Sequence, residues 1–254
     1  MKRHSGKGLV RIAVFIFWIG IWFLLAQLVN RELLLPSPLQ VLRRLLSLSM
    51  TVSFWQTLGY SLLRVSAGIV VATILGVLLA LLTEWSRIAR ALVAPVMTLI
   101  KTTPVASFII LALIWLGRSV LPAVISGLMV LPVVWANVSA GIAGRDAQLL
   151  ELAQVYRLPR RVIFRRITVP SVLPHFRAAL SSALGLGWKA GIAAEVLTVP
   201  QLSIGKMIFE SKLYLETTSL FAWTLTVILL SLVIEKLLLH LVQQIGRNGG
   251  VQDA

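Results

Sequence analysis

Three ionisable side chains stand inside long apolar stretches of this 254-residue chain: Arg64, Lys189 and Glu195. A charge in such surroundings is costly to desolvate, so it is kept for pairing or for handling a charged solute. Arg64 opens one apolar run and Glu195 closes another, which predicts a structural ion pair at a shared depth. Exchanging the two charges should then preserve part of the attraction. Lys189 falls twelve residues after Arg177, about 18 Å further along a helix. It either lines the path of an anionic solute, with Ser182 and Trp188 on the same segment, or serves structure at a watery cavity or a subunit contact. Covalent chemistry has no candidates. His4, His175 and His240 are far apart, and no two carboxylates share a helix face within an apolar run. Gly6-Lys7 and Gly205-Lys206 lack the spacing and the hydroxyl of a phosphate-binding loop. No catalytic residue, metal site or nucleotide site is expected, and the absence of cysteine excludes disulfides and thiolate metal sites.

The elements that position these residues are membrane spans. The chain is 58% hydrophobic and 13% charged, about half the charged fraction of a soluble domain. Residues 12–29 hold a single polar side chain, Gln27, and residues 65–82 hold no charge. A bilayer core of about 30 Å needs roughly 20 such residues as a helix. Six spans are expected: 12–29, 57–82, 106–116 (lengthened backwards through 92–100 and broken near Pro104), 120–138, 178–199, and 220–234 running on to 241. The first apolar run is too long for a secretory leader and is expected to be retained. The net charge of +15 would suggest nucleic acid in a soluble protein, but the basic residues sit beside apolar runs. With the N-terminus inside, inner segments hold 16 Lys and Arg and outer segments 7, which places both termini in the cytoplasm. Residues 39–48 read as an amphipathic interfacial helix with Arg43 and Arg44 on its wet face. Gly68, Ala72, Gly76 and Ala80 form a small-residue stripe suited to close helix packing, static or sliding. The expected organisation is an N-terminal span plus interfacial helix over 1–54, a transmembrane core over 55–243 and a cytoplasmic tail over 244–254.

One inner segment is more structured than a loop between spans requires. Residues 151–170 read ELAQVYRLPRRVIFRRITVP. Asp146 can cap a helix start, Leu158-Pro159 breaks the helix, and a second short helix over 160–167 should stop at Pro170. Leucines, valines and Phe164 supply more apolar surface than a free loop shows. Such a helix–turn–helix knuckle is either a positive-inside anchor folded on its own spans or a rigid element gripped by a partner.

The knuckle resembles the EAA loop of inner-membrane permease subunits of ATP-binding-cassette importers. That motif reads Glu-Ala-Ala, three residues, Gly, nine residues, then Ile-x-Leu-Pro. Glu151 and Ala153 match, with Leu152 between them; Ile167 and Pro170 fall in register, with Val169 for Leu. Arg157 occupies the Gly position, and an arginine there should make the turn with ordinary backbone angles. Leu35-Pro36-Ser37-Pro38, Ser61-Leu62-Leu63-Arg64-Val65 with Gly68, Gly76, Gly185-Leu186-Gly187-Trp188 and Ala194-Glu195 extend the resemblance, over about 35–241, to the nitrate, sulfonate, taurine and bicarbonate branch. The resemblance implies an all-α, six-helix type I permease fold in the bacterial inner membrane. It implies a second copy of the chain, two cytoplasmic ATPase subunits holding ATP and Mg²⁺, and an extracytoplasmic solute-binding protein. The loop at 146–170, through Glu151, Leu152, Ala153, Arg157, Ile167 and Pro170, would couple to the ATPase. The chain would form the path for a small anion such as nitrate, a sulfonate or taurine, or for a small heterocycle, and do no covalent chemistry. A secondary transporter or channel without an ATPase is the alternative; it leaves the knuckle unexplained and would predict inverted repeats, which are not evident. A membrane-embedded enzyme would need clusters of His, Asp or Glu that the sequence lacks.

Overall fold

The computed structural model describes residues 5–248, and every element among them is helical. Helix α1 spans Ser5–Val29, α2 Pro38–Ser49, α3 Val52–Trp85, α4 Arg87–Thr102, α5 Val105–Ala112 and α6 Leu121–Ala143. The knuckle follows as α7 (Ala147–Val155), α8 (Arg160–Ile163) and a π-helical turn at Phe164–Thr168. Helix α9 spans Val169–Thr198, α10 Ile204–Leu213 and α11 Thr217–Asn248. The expected tail thus begins inside α11, and residues 249–254 lie outside the described residues. The expected boundary between 54 and 55 falls in the first turn of α3.

Among the described residues, four helices are long and apolar enough to cross a membrane, namely α1, α3, α6 and α11. The pair α4–α5 makes a fifth if counted as one span; it bends by 104° at the break expected near Pro104. Helix α9, where the fifth span was expected, is not among them, because its glycines and serines, with Lys189 and Glu195, lower its mean hydropathy. It can afford this because it is the central helix. Ala183, Leu184, Trp188 and Ile192 of α9 meet Val65, Ile69 and Ala72 of α3 and Val130, Val134 and Val138 of α6 in the main core. A helix shielded from lipid by its neighbours does not need an apolar face all round.

Close approach of these three helices depends on small residues. A Cβ on Gly68 would lie 2.0 Å from the Ala123 carbonyl oxygen of α6, so the backbones touch there. Gly187 and Gly191 of α9 leave room for Val130 and Val65 in the same way. The periphery is tied more loosely. Ser37 caps α2 and exchanges hydrogen bonds with Gln40. Arg44, expected on the wet face, is exposed, and it donates to Ser219 Oγ at 2.9 Å and pairs with Glu216 at 3.5 Å, fastening α2 to the start of α11. Helix α1 is held by the Trp22 indole N–H, which donates to Pro36 O at 3.1 Å, and by stacking of Trp22 on Phe221.

Pro170 does not stop the second knuckle helix. The chain widens into the π turn, where Val169 N–H reaches back to Phe164 O, and runs on as α9 with Pro170 in its first turn. The wider turn absorbs the missing donor and the ring of the proline, so the helix expected from residue 178 begins well before it.

Gly68→Ala is expected to force α3 and α6 apart and destabilise the protein by about 1–3 kcal/mol. Gly185→Ala, whose added Cβ would meet nothing within 4 Å, should stay within about 0.5 kcal/mol of the parent. Thermal unfolding of the two variants in one detergent compares them directly.

Candidate functional site

The two ends of the helical core are held by different polar clusters. At one end Glu195 of α9 is fully buried, and its carboxylate is met by three donors from two helices. Arg64 Nη1 of α3 donates to Oε1 at 2.7 Å, Ser61 Oγ donates to Oε2 at 2.7 Å, and Gly205 N–H of α10 donates to Oε2 at 3.2 Å. Ser61 Oγ in turn accepts from Ile204 N–H at 2.8 Å. The first turn of α10 is therefore satisfied partly by its own cap, Ser203, and partly by a carboxylate and a hydroxyl from other helices. Gly205 is required by contact: a Cβ there would lie 2.3 Å from Glu195 Cβ. The connection from α9 to α10 is strained, with Val199 at φ +49° and Leu202 at φ +49°. A left-handed β-branched residue is an outlier that its surroundings must enforce. Arg64 Nη2 also reaches Gln201 O at 3.4 Å within that connection.

At the other end stands the knuckle. Asp146 Oδ1 accepts from Gln148 N–H at 2.8 Å and caps α7. Helix α7 ends in a Schellman turn: Leu158 N–H donates to Ala153 O at 2.9 Å and Arg157 N–H to Gln154 O at 3.0 Å. Arg157 sits at φ +50°, so the expectation of ordinary angles at this position is wrong. The turn keeps its left-handed shape and the arginine bears the strain, because the two backbone bonds close only in that conformation. Glu151 and Leu152 are exposed, while Ala153 is only 2% exposed. Ala153 therefore packs within this chain and does not offer the partner contact expected of it. Leu149, Leu152, Val155 and Tyr156 remain as an exposed apolar face on α7. Ile167 is half-buried and Pro170 exposed.

Along α9, Ser182, Leu186, Lys189, Ala193 and Leu197 share one exposed face. Trp188 does not belong to it. It lies 2% exposed in the main core with its indole N–H unpartnered, so it faces neither a path nor a partner. The reason is helical spacing: at one residue from Lys189 it is turned about 100° away.

A second polar cluster escaped sequence reasoning. Arg145, between α6 and α7, donates from Nε to Ile142 O at 2.7 Å, from Nη1 to Thr168 Oγ at 3.5 Å, and from Nη2 to Glu84 Oε1 of α3. The other oxygen of Glu84 pairs with Arg90 of α4 at 3.3 Å. Scarcity was the available signal. The chain has only 9 acids against 24 Lys and Arg, so an acid at the end of an apolar run has basic neighbours to meet. Glu84, Glu195 and Glu216 pair with arginine and Glu210 with Lys206. Glu151 is exposed and forms no ion pair among the described residues.

Comparison with known proteins identifies the family. Residues 72–247 match the family of binding-protein-dependent transport system inner membrane components. A probable ABC transporter permease protein of Brucella melitensis is 29% identical over 239 residues, covering 93% of this chain and 95% of the relative. The formylaminopyrimidine transport permease protein ThiX of Halalkalibacterium halodurans is 30% identical over 187 residues, 73% and 74% of the two chains. The taurine transport system permease protein TauC of Escherichia coli is 25% identical over 226 residues, 85% and 80%.

Two outcomes follow from the geometry. Glu195→Gln must turn an amide N–H₂ towards either Arg64 or the Ser61 and Gly205 donors, and Arg64→Met leaves the carboxylate short of its cation. Each should cost about 3–5 kcal/mol, with the double variant no worse than about one of them. The charge exchange should fail to rescue, since an arginine at 195 would face two further donors; thermal melts of the four proteins decide this. Arg157→Gly should raise stability by about 1 kcal/mol by relieving the left-handed arginine, read from the same melts.

Proposed function

This chain belongs to the binding-protein-dependent transport system inner membrane components, multi-pass ABC transporter permeases, and we propose that it works as the path-forming and coupling subunit of an ATP-driven importer. In this reading a second copy completes the path, two cytoplasmic ATPases dock on the knuckles, and a solute-binding protein delivers from outside. Six spans cross the bilayer, with α9 and the bent α4–α5 pair added to the four apolar helices, and both termini are cytoplasmic. The 16 to 7 excess of inner Lys and Arg supports that orientation.

The observation that carries the docking assignment is the surface of residues 146–170. Its apolar residues Leu152, Val155 and Tyr156 point outward on a capped, stiff helix, and Glu151 stands beside them without a cation of its own. An anchor folded on its own spans would bury that face. A carboxylate unpaired in a chain of net charge +15 suits donors from a partner. The exposed face of α9 carrying Ser182 and Lys189 lines the path, and its lysine favours an anionic group on the solute. Taurine carries a sulfonate and a formylaminopyrimidine is a small heterocycle, and this chain's solute falls within that range.

The assignment is tested at Val155, 77% exposed. Val155→Asp should insert and melt like the parent, since the side chain touches nothing in this chain that needs it, yet fail to retain the ATPase on co-purification. Retention of the ATPase together with full ATP-driven uptake would refute docking through this face. Ala153→Asp is a poorer probe, because its burial would damage the knuckle itself.

A further inference from the structure

We propose that Glu84 and Arg145 form a clamp that transmits movement of the knuckle into the spans, a role that rests on the docking reading above. The knuckle enters at Gly144–Asp146 and leaves at Thr168. A single guanidinium grips both points. Arg145 sits at the entry, and its Nη1 lies 3.5 Å from the buried hydroxyl of Thr168 at the exit. Its Nε holds the last turn of α6 through Ile142 O, and its Nη2 holds the end of α3 through Glu84. Glu84 passes the connection on to α4 through Arg90, whose Nε also donates to Thr83 O at 3.3 Å. Four helices and both ends of the knuckle thus converge on one carboxylate–guanidinium pair.

The mechanical consequence is direct. A lever moves a load only if its pivots do not give. The entry holds Gly144 and the exit is a π turn, two places where a helix bends or shifts register readily. Left unpinned, they would absorb a displacement of α7 and α8. The clamp denies them that freedom, so a push on the exposed face of α7 is delivered to α3, α4, α6 and α9 together. Glu84 and Arg145 are each about a quarter exposed or less, 25% and 22%, so the pair is partly shielded yet close enough to water to rearrange. Both are positioning residues: they touch neither solute nor nucleotide.

The chain has no cysteine, so one introduced cysteine is a unique reporter. Ala193→Cys places it on the exposed face of α9, away from the clamp. The full permease, co-expressed with its ATPase and reconstituted in proteoliposomes, is labelled with a membrane-impermeant maleimide with and without ATP, Mg²⁺ and vanadate. Trapping should change the labelling rate in the parent. Glu84→Gln and Thr168→Val should keep the ATPase bound and hydrolysing within about twofold, while the trapping-dependent change shrinks by about fivefold or more, the scale of a lost coupling energy. Glu84→Asp should recover most of it. An undiminished change in both Glu84→Gln and Thr168→Val overturns the clamp. So does loss of the ATPase or of folded protein with Glu84→Gln while Thr168→Val responds as the parent does, since the pair would then serve structure alone. Failure of the docking reading shows separately, as an ATPase that stays with the Val155→Asp permease.

Discussion

A carboxylate with no water around it must find its solvation in the protein, and Glu195 is the place where this fold is most constrained by that requirement. Its two oxygens take hydrogen bonds from a guanidinium, a hydroxyl and a backbone amide, drawn from α3 and α10. Each donor fixes something else. Arg64 and Ser61 set the rotation of α3 against α9. The amide of Gly205 brings the first turn of α10 onto the carboxylate, where the positive end of a helix is favourable. The strained backbone at Val199 and Leu202 costs about 1–2 kcal/mol at each residue, and it persists because this network over-determines the turn. Remove the charge and the helix pair, the turn and the cap all lose their common reference.

The second constraint is steric. Between α3, α6 and α9 the contacts are backbone to backbone or backbone to valine, as at Gly68 against Ala123 and Gly191 against Val65. Packing of this kind replaces hydrophobic driving force, which is absent between helices already in lipid. It also frees α9 from the need to look like a membrane helix. The result is a central helix with a buried apolar side carrying Trp188 and an open side carrying Ser182 and Lys189.

Much of this was legible in the sequence. Uninterrupted apolar runs mark α1, α3, α6 and α11, since length and hydropathy are the properties a bilayer selects. Pro104 marks the bend between α4 and α5 for reasons of backbone chemistry. The shared depth of Arg64 and Glu195 pairs those two residues from their places in the sequence alone. What was not legible depends on details below the resolution of a pattern. Pro170 looks like a stop, but a π turn accommodates it. Arg157 looks unfit for a left-handed turn, yet two backbone hydrogen bonds hold it there. Ala153 reads as contact surface by its place in a motif, whereas burial is decided by the rotation of α7. Ser61, Gly205, Glu84 and Arg145 are separated by long stretches of chain, and only the fold shows which of them meet.

The two polar clusters also differ in a way that suits opposite roles. Glu195 is wholly enclosed, its partner Arg64 nearly so, and every carboxylate lone pair that matters is occupied. Breaking any one bond there strands a buried charge, so the cluster has a single stable arrangement. Glu84 keeps partial access to water and has two arginines within reach, one of them on a helix that bends by 104° a few turns later. The two arginines hold different oxygens of the carboxylate at once, tying α4 and the knuckle entry to the end of α3. One end of the α3–α9 pair is therefore locked by desolvation, and the other is held by a clamp that water can reach. In the importer proposed above, a bundle locked at one end and hydrated at the other would rock about the locked end. The hydrated end carries the knuckle, where a push from outside the bilayer would be applied with the longest arm.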